Sequence, residues 1–537
     1  MPNYISLYTG HDANITFYNS DLGAVHVIEL ERLLRKRYYR LHFDNDDKTI
    51  EMILTKCKSI ATKFWQFDRC DKLIMDKYAY VNPGLKNTIM KVFQCTDVRS
   101  IANHHMQHAA CTFFQSDFKN AIVYSYDGGG DDEWFNVYAA SKEPGNEGIT
   151  RLENVPSDFG GGYALCGSAV KEVAENSRHL LALAGKLMGL CAYGSADEEK
   201  AKHFAEFFYD KNYDKLSKSI GINLKNSENQ WDDPLNNWCL EGQDAYDFAA
   251  TAQLGYEMAF FRVFEKYNND ARFKNWPVCM TGGGSLNVLV NEKIKNKYGN
   301  EIFVPPCPSD CGLSYGHLAI ALLQDGLNVP KNITYTGLPI LDIDDLAKLI
   351  GERNATKTNN AEIAKLLKQG NIIGMVHGDS EVGPRALGNR SIVCDPSFPN
   401  MKDILNSKVK FREWFRPFAP FCKKEDAPEY FTSKNFDGIE FMSFAPLVKE
   451  EFRTKLPSVT HADGSARLQT VTSESHQGFY DLLTEFGKIS DTRVLLNTSF
   501  NIRGRPILST ISDALHVLDN TDMDYVVIED YLFTKEK

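Results

Sequence analysis

Residues Asn120–Ser141 read NAIVYSYDGGGDDEWFNVYAAS. A β-rich run enters an acidic, glycine-rich turn, Asp127-Gly128-Gly129-Gly130-Asp131-Asp132, and another strand leaves it. The N-terminus has the same grammar: YISLYTG, ANITFYNS and AVHVIELE are separated by Gly-His-Asp and Asp-Leu-Gly turns. Alternation in ITFY and VHVIEL predicts half-buried antiparallel strands there. The two regions form a weak internal repeat.

Strand-turn-strand units facing each other across a cleft are how actin- and hexokinase-like folds hold phosphate, on the backbone N–H groups of their turns. Two unrelated hairpins fit these segments equally well. Helices are predicted at GKLMGLCAYG (Gly185–Gly194), after RHLLALAG, and at DAYDFAATAQLGYEMAFFRVFEKY, whose apolar spacing marks a core helix. WPVCMTGGGSLNVLVNEKI reads as strand, glycine turn and helix, which leaves free amides at a helix N-terminus suited to an anion. The polar stretch 326–358, around one predicted helix at DIDDLAKLIGER, marks a domain boundary.

A chain of 537 residues exceeds one ordinary core, so two or three domains are expected. Hydrophobic residues at 43% and charged residues at 24% suit a soluble enzyme. The net charge of −11 argues against a general nucleic-acid coat but leaves room for a local basic groove. The start, MPNYISLYTGHDA, has no basic segment followed by an apolar core, and no run approaches the ~20 apolar residues of a span. A cytoplasmic protein is expected. The 12 cysteines, without a C-x-x-C pair, read as reduced and mostly buried thiols.

Beyond the boundary the character changes. VHGDSEVGPRALGNRSIVCDP and NSKVKFREWFRPFAPFC place cations among Pro, Phe and Gly. Arg385 and Arg390 flank a glycine-containing turn, and Arg412 and Arg416, four apart, would share a face if helical. HADGSARLQTV adds His461, Asp463 and Arg467, and LLNTSFNIRGRPI adds Asn497, Ser499, Asn501 and Arg503. Cations in such apolar and turn contexts favour a polyanionic ligand over a solvated face.

With these segments in view, the sequence resembles the O-carbamoyltransferase family, which modifies nodulation factors, tobramycin and cephalosporins. The resemblance is carried, in order, by GHDAN, NHHMQHAA, YDGGGDDE, GKLMGLCAYG, TGGGSLN, PPCPSDCGLSYG, GPRALGNRSI, FREWFRPFAP, HADGSARLQTV and LLNTSFNIRGRPI. It implies an α/β protein with two domains. Residues 1–340 would be an actin/hexokinase-like domain, similar to the enzyme that completes threonylcarbamoyl-adenosine on tRNA. Residues 341–537 would be a YrdC-like α/β domain that makes carbamoyl adenylate.

The implied reaction uses carbamoyl phosphate and Mg-ATP to form carbamoyl adenylate and pyrophosphate, then transfers the carbamoyl group to a hydroxyl. Arg385, Lys410, Arg416, Arg467 and Arg503 would hold phosphates and the carbamoyl oxygen, with Asn497 and Ser499 as neutral partners. Gly128, Gly129, Gly283 and Gly284, with Asn287, would hold the adenylate phosphate and ribose. In NHHMQHAAC, His104 and His108 have the i, i+4 spacing that turns two imidazoles toward one metal. The resemblance adds Asp127 and Asp310, with Asp310 the firmer ligand. Two histidines and a carboxylate leave coordination positions open and suit Fe(II) or another divalent ion. His105 would point elsewhere.

His11 is a candidate general base or substrate contact, or a turn histidine that bonds only backbone. Arg37 is counted with His11 and Asp127 as catalytic, although the family typically shows Arg-x-Lys-His where this chain has Arg35-Lys36-Arg37-Tyr38. Asp379 likewise stands where the family commonly has arginine. The cations and aromatics of RLLRKRYYR (Arg32–Arg40) would suit a phosphorylated acceptor, such as a hydroxymethyl-pyrimidine nucleotide, and equally an exposed basic strand end. Sugar and antibiotic hydroxyls are the other acceptors. No membrane or stable nucleic-acid partner is expected, and a homodimer is allowed for. A sugar kinase would share the first fold but leave the C-terminal arginines unexplained. A tRNA-modifying component would need a basic surface that this composition does not offer.

Overall fold

A computed structural model describes residues 2–536, apart from 44, 144–146, 176, 178 and 225–237. Its first sheet is built from β1 (Tyr4–Tyr8), β2 (Asn14–Asn19), β3 (Ala24–Glu29), β4 (Lys72–Asp76) and β5 (Val98–Ile101). The order is β3-β2-β1-β4-β5: the first three strands are antiparallel, and β1 pairs parallel with β4 and β4 with β5.

The second sheet uses β6 (Asn120–Gly130), β7 (Glu133–Ser141), β8 (Gly148–Val155), β9 (Val278–Thr281) and β10 (Ile302–Phe303). Its order, β8-β7-β6-β9-β10, repeats the first strand for strand, including the parallel pairings of β6 with β9 and β9 with β10. The choice between a true repeat and two unrelated hairpins is thereby decided for the repeat, the duplicated architecture of actin-like proteins. The acidic turn is tighter than its composition suggests. β6 runs on to Gly130 through a bulge between Tyr126 and Gly130, so only Asp131 and Asp132 form the turn.

Each half ends in a helix that follows its fifth strand, His104–Gln115 after β5 and Leu313–Gln324 after β10, and the two pack against each other. The helix Gly242–Asn268, predicted as a core element, buries Phe248, Tyr256, Phe260 and Phe264 in the second half.

The C-terminal unit is an eight-stranded mixed sheet. Its strands in chain order are β11 (Thr356–Lys357), β12 (Ile373–Val376), β13 (Arg390–Cys394) and β14 (Ala419–Lys423). A separate hairpin, β15 (Phe431–Thr432) and β16 (Leu447–Val448), interrupts it before β17 (Gln469–Val471), β18 (Val494–Ser499), β19 (Tyr525–Ile528) and β20 (Tyr531–Phe533). The order is β11-β20-β19-β12-β13-β18-β14-β17, a mixed α/β unit as the resemblance implied.

One hydrophobic core runs without a break from the second half into this sheet, whereas the first half keeps its own. The GKLMGL helix (Leu183–Leu190) sits at that junction, with Gly189 against Pro417 and Phe415. Arg32 ties the first half to the third unit. Buried, it pairs with Glu29 at 2.9 Å and donates to the carbonyls of Glu381 (2.7 Å) and Gly383 (2.5 Å). Arg390 is a second structural arginine, spent on the carbonyls of His377, Gly378, Leu338 and Asn389.

All 12 cysteines are free and only Cys239 is not buried, as their pattern predicted. No helix among the described residues is long and apolar enough to cross a membrane.

His476 makes the acid limb of stability predictable. Its Nδ1 accepts from Phe479 N–H as the N-cap of helix Gln477–Gly487, and its Nε2 lies 2.9 Å from Asn389 Oδ1. Burial lowers its pKa to about 4. Because the folded pKa lies below the unfolded value near 6.5, its contribution is complete above pH 6.5 and is lost as pH falls toward 4, by about 3 kcal/mol. Denaturant titrations at pH 7 and pH 4.5 should show a smaller loss for His476→Asn, which caps without titrating. Equal losses in both proteins would remove His476 from the cause.

Candidate active site

The repeat brings equivalent pieces of both halves to one place. His104 and His108 lie on the helix after β5, Asp310 just before the helix after β10, His11 in the β1–β2 turn, and Asp127 on β6. His108 Nε2 is 3.1 Å from His104 Nε2, 3.2 Å from Asp127 Oδ2 and 3.3 Å from Asp310 Oδ1. His104 Nε2 is 3.6 Å from that same Asp310 oxygen, and His11 Nε2 is 3.2 Å from the other one, Oδ2. Donor atoms from His104, His108, Asp127 and Asp310 all lie within 4.8 Å of one another. His104, His108 and Asp310 are buried.

Two ring nitrogens facing each other at hydrogen-bond distance, with two carboxylates, converge lone pairs that a proton on His108 or a shared cation can satisfy. Burial alone disfavours the imidazolium, yet hydrogen bonds to Asp127 and Asp310 push His108 up to about 9. Burial, reinforced by His108, lowers His104 instead. The surrounding histidines hold Asp310 well below the ordinary carboxylate range despite its burial. This donor set, two imidazole nitrogens and two carboxylates, fits a divalent transition ion.

Asp127, counted as catalytic and as the less firm of the two acidic groups of the site, stands among the four. Its carboxylate also accepts from the N–H groups of Gly128 (2.6 Å) and Gly283 (2.9 Å), so these turn amides face Asp127. Gly129 has a φ of 136° beside Trp134, and a Cβ at Gly284 would lie 2.4 Å from the Tyr126 ring. The glycines let the two turns interlock. Asn287 caps helix Val288–Lys293 and bonds Gln253. His105 turns away, to Ser125 Oγ (2.8 Å) and the Glu133 carbonyl (3.1 Å). Tyr8, which no motif flagged, donates to Asp310 Oδ2 at 2.6 Å.

The second group of residues is cationic. Arg385, Lys410, Arg412, Arg416 and Arg467 gather with Arg37 of the first half closely enough that their charges act on one another. Burial and then mutual repulsion pull Arg385 down to about 10, and Lys410, Arg412 and Arg467 well below their ordinary values. Arginine does not surrender its proton in water, so the cost appears as repulsion that a bound anion would relieve. Nε of Arg385 and of Arg467 are buried without a hydrogen-bond partner.

Glu413 is the carboxylate set among these cations. It lies 2.6 Å from Lys186 of the GKLMGL helix and 3.4 Å from Arg416. The Lys186 link explains the motif, whose charge had no assigned role. Lys410 Nζ donates to the Ser499 carbonyl (2.5 Å), Ser499 Oγ (3.2 Å) and Asn501 Oδ1 (2.5 Å). Asn497 supports the Arg385 loop through the Ala386 carbonyl (3.1 Å) and Gln469 (2.7 Å). Arg503, at the exposed rim, donates its backbone N–H to the Lys410 carbonyl and acts on Lys186.

Arg412 and Arg416 do not share a helix face. The five-residue π-turn Leu405–Val409 ends before them, Phe411 is left-handed at φ 49°, and Pro417 disfavours a helical Arg416. The turn nevertheless aims both at the cluster. Asp379 faces His26, 3.8 Å away, and its charge acts on the structural Arg390.

The sequence profiles described as Carbamoyltransferase N-terminus and Carbamoyltransferase C-terminus match residues 47–319 and 364–535. The nodulation protein NolO of Bradyrhizobium diazoefficiens is 30% identical over 81% of this chain and 79% of its own. An uncharacterized protein of Methanocaldococcus jannaschii is 27% identical over 99% of this chain and all of its own length. Among solved structures, full-length HypF in its phosphate- and nucleotide-bound form is 12% identical, with a TM-score of 0.34, over 60% of this chain and 46% of that one.

Proposed function

Since the chain belongs to the carbamoyltransferase family, as an O-carbamoyltransferase, we propose that it makes carbamoyl adenylate at the cationic group and transfers the carbamoyl unit at the histidine–aspartate group. The supporting observation is the concentration of Arg37, Lys186, Arg385, Lys410, Arg412 and Arg467 about Arg416, with Glu413 the carboxylate that steadies it. That excess charge suits two phosphate-bearing substrates, ATP and carbamoyl phosphate, together. Water releases phosphate and carbamate from carbamoyl phosphate; a carbamate oxygen then attacks the α-phosphorus of Mg-ATP and pyrophosphate leaves. Preorganised cations stabilise the charge that builds on the phosphoryl oxygens.

His104, His108, Asp127 and Asp310 would hold a divalent metal, with Fe(II) favoured by the donor set. When bound, it would supply Lewis acidity beside the adenylate phosphate. Tyr8 and His11 fix the Asp310 carboxylate. Although burial opposes it, Asp310 and Asp12 raise the His11 pKa to about 9, so it would meet the acceptor as a cationic hydrogen-bond donor, the substrate-contact role, rather than as a base.

The acceptor side supports a planar anion. His42 stacks on Tyr78 at 3.8 Å, Arg40 lies 5.6 Å over the exposed Phe43 ring, and His42 bonds Thr9, two residues from His11. Stacking and guanidinium groups favour a hydroxymethyl-pyrimidine nucleotide, such as hydroxymethyl-dCMP, over a cationic aminoglycoside. Incubation with ATP, carbamoyl phosphate and each acceptor, followed by mass spectrometry, should give the carbamoylated nucleotide. Tyr78→Ala should raise KM for that acceptor by about tenfold, the loss of one stacking contact. Carbamoylation of the aminoglycoside alone would overturn the nucleotide reading.

A further inference from the structure

Between the two groups stand Tyr38 and His179, their rings stacked with centroids 4.5 Å apart and planes at 26°. Arg37 lies 4.8 Å over Tyr38, and the charge of Arg416 acts on Tyr38. His179 lies within the field of His11, Asp12 and Arg37. The pair thus joins the first half to the second across the line from the Arg416 cluster to His11 and Asp310.

Tyr38 is held there at a conformational cost. Its φ is 56°, in the left-handed region that bulky residues avoid, and its N–H donates to Glu31 Oε2 at 3.1 Å. His179 is fixed by its own cap, Nδ1 accepting from Leu181 N–H at 3.2 Å. A stack of this kind adds little stability beyond the area its rings bury. It can therefore separate the sites without sealing them.

We propose that the Tyr38–His179 stack is a partition between the adenylating and transferring sites, which retains carbamoyl adenylate until it reaches Asp310. This rests on the two-site reading above. The intermediate is a mixed anhydride. If it escapes, water attacks the carbamoyl carbon, the carbon–oxygen bond to phosphate breaks, AMP leaves, and the carbamate decays to ammonia and carbon dioxide. Neither ring need touch the reacting atoms; both are positioning residues.

The test is the ratio of carbamoylated product to pyrophosphate in the full chain, with acceptor present. Tyr38→Ala/His179→Ala should release pyrophosphate at a rate within about twofold of the parent while the ratio falls about fivefold or more and free ammonia rises to match. Tyr38→Phe, which keeps the ring, should restore the ratio. A double variant as tightly coupled as the parent would overturn the partition, as would one losing pyrophosphate release and product together. A parent enzyme that releases no pyrophosphate from ATP and carbamoyl phosphate would instead remove the two-site reading and the partition with it.

Discussion

Arg416→Ala is expected to lower pyrophosphate release from ATP and carbamoyl phosphate by 100-fold or more, roughly the effect of deleting one preorganised donor at a developing negative charge. Arg416 is the cation best placed for this. Its guanidinium is partly open at the centre of the group, repelled by Arg37 and steadied by Glu413 at 3.4 Å, which Lys186 holds at 2.6 Å. Removing it relieves repulsion among the remaining cations, so the fold should not suffer. A thermal melt unchanged within a few degrees would accompany the lost activity. Arg416→Lys should recover only part, because a point charge does not replace the planar fork. Retained pyrophosphate release in Arg416→Ala would show that adenylation occurs elsewhere.

Asp310→Asn should do the converse. Carbamoyl transfer is expected to fall by about 1,000-fold or more, while pyrophosphate release stays within about threefold, because several kcal/mol of charge stabilisation vanish at the second site alone. One oxygen of Asp310 faces His104 and His108; the other faces His11 and accepts from Tyr8. Asparagine keeps the shape and loses the charge to which three imidazoles answer. Metal content, measured on the purified variant, should fall with transfer. His104→Gln, which leaves the Tyr8–Asp310 bond in place, should show the same split if Asp310→Asn proves unstable. Loss of pyrophosphate release in both variants would contradict separate sites.

What the sequence disclosed follows physical range. The duplicated sheet could be read because strand alternation and turn chemistry are local, and the repeat wrote them twice. His104 and His108 could be read because one helical turn sets their spacing. Asp310 needed the family motif, since no local rule joins residues some two hundred apart. The pairing of His108 with Asp127 follows from β6 lying beside the helix after β5, a packing fact no spacing encodes. Tyr8, Lys186 and His179 stayed hidden for the same reason: each gains its role from a partner on another element. The helical reading of Arg412 and Arg416 failed because a left-handed Phe411 and Pro417 override the four-residue spacing.

The most direct measurement of the two-site account is exchange of labelled pyrophosphate into ATP without acceptor, in the parent, Arg416→Ala and Asp310→Asn proteins. Exchange should require carbamoyl phosphate, persist in Asp310→Asn and be absent from Arg416→Ala. Exchange independent of carbamoyl phosphate, or its equal loss from both variants, would contradict the division of chemistry between the cationic group and the histidine–aspartate group.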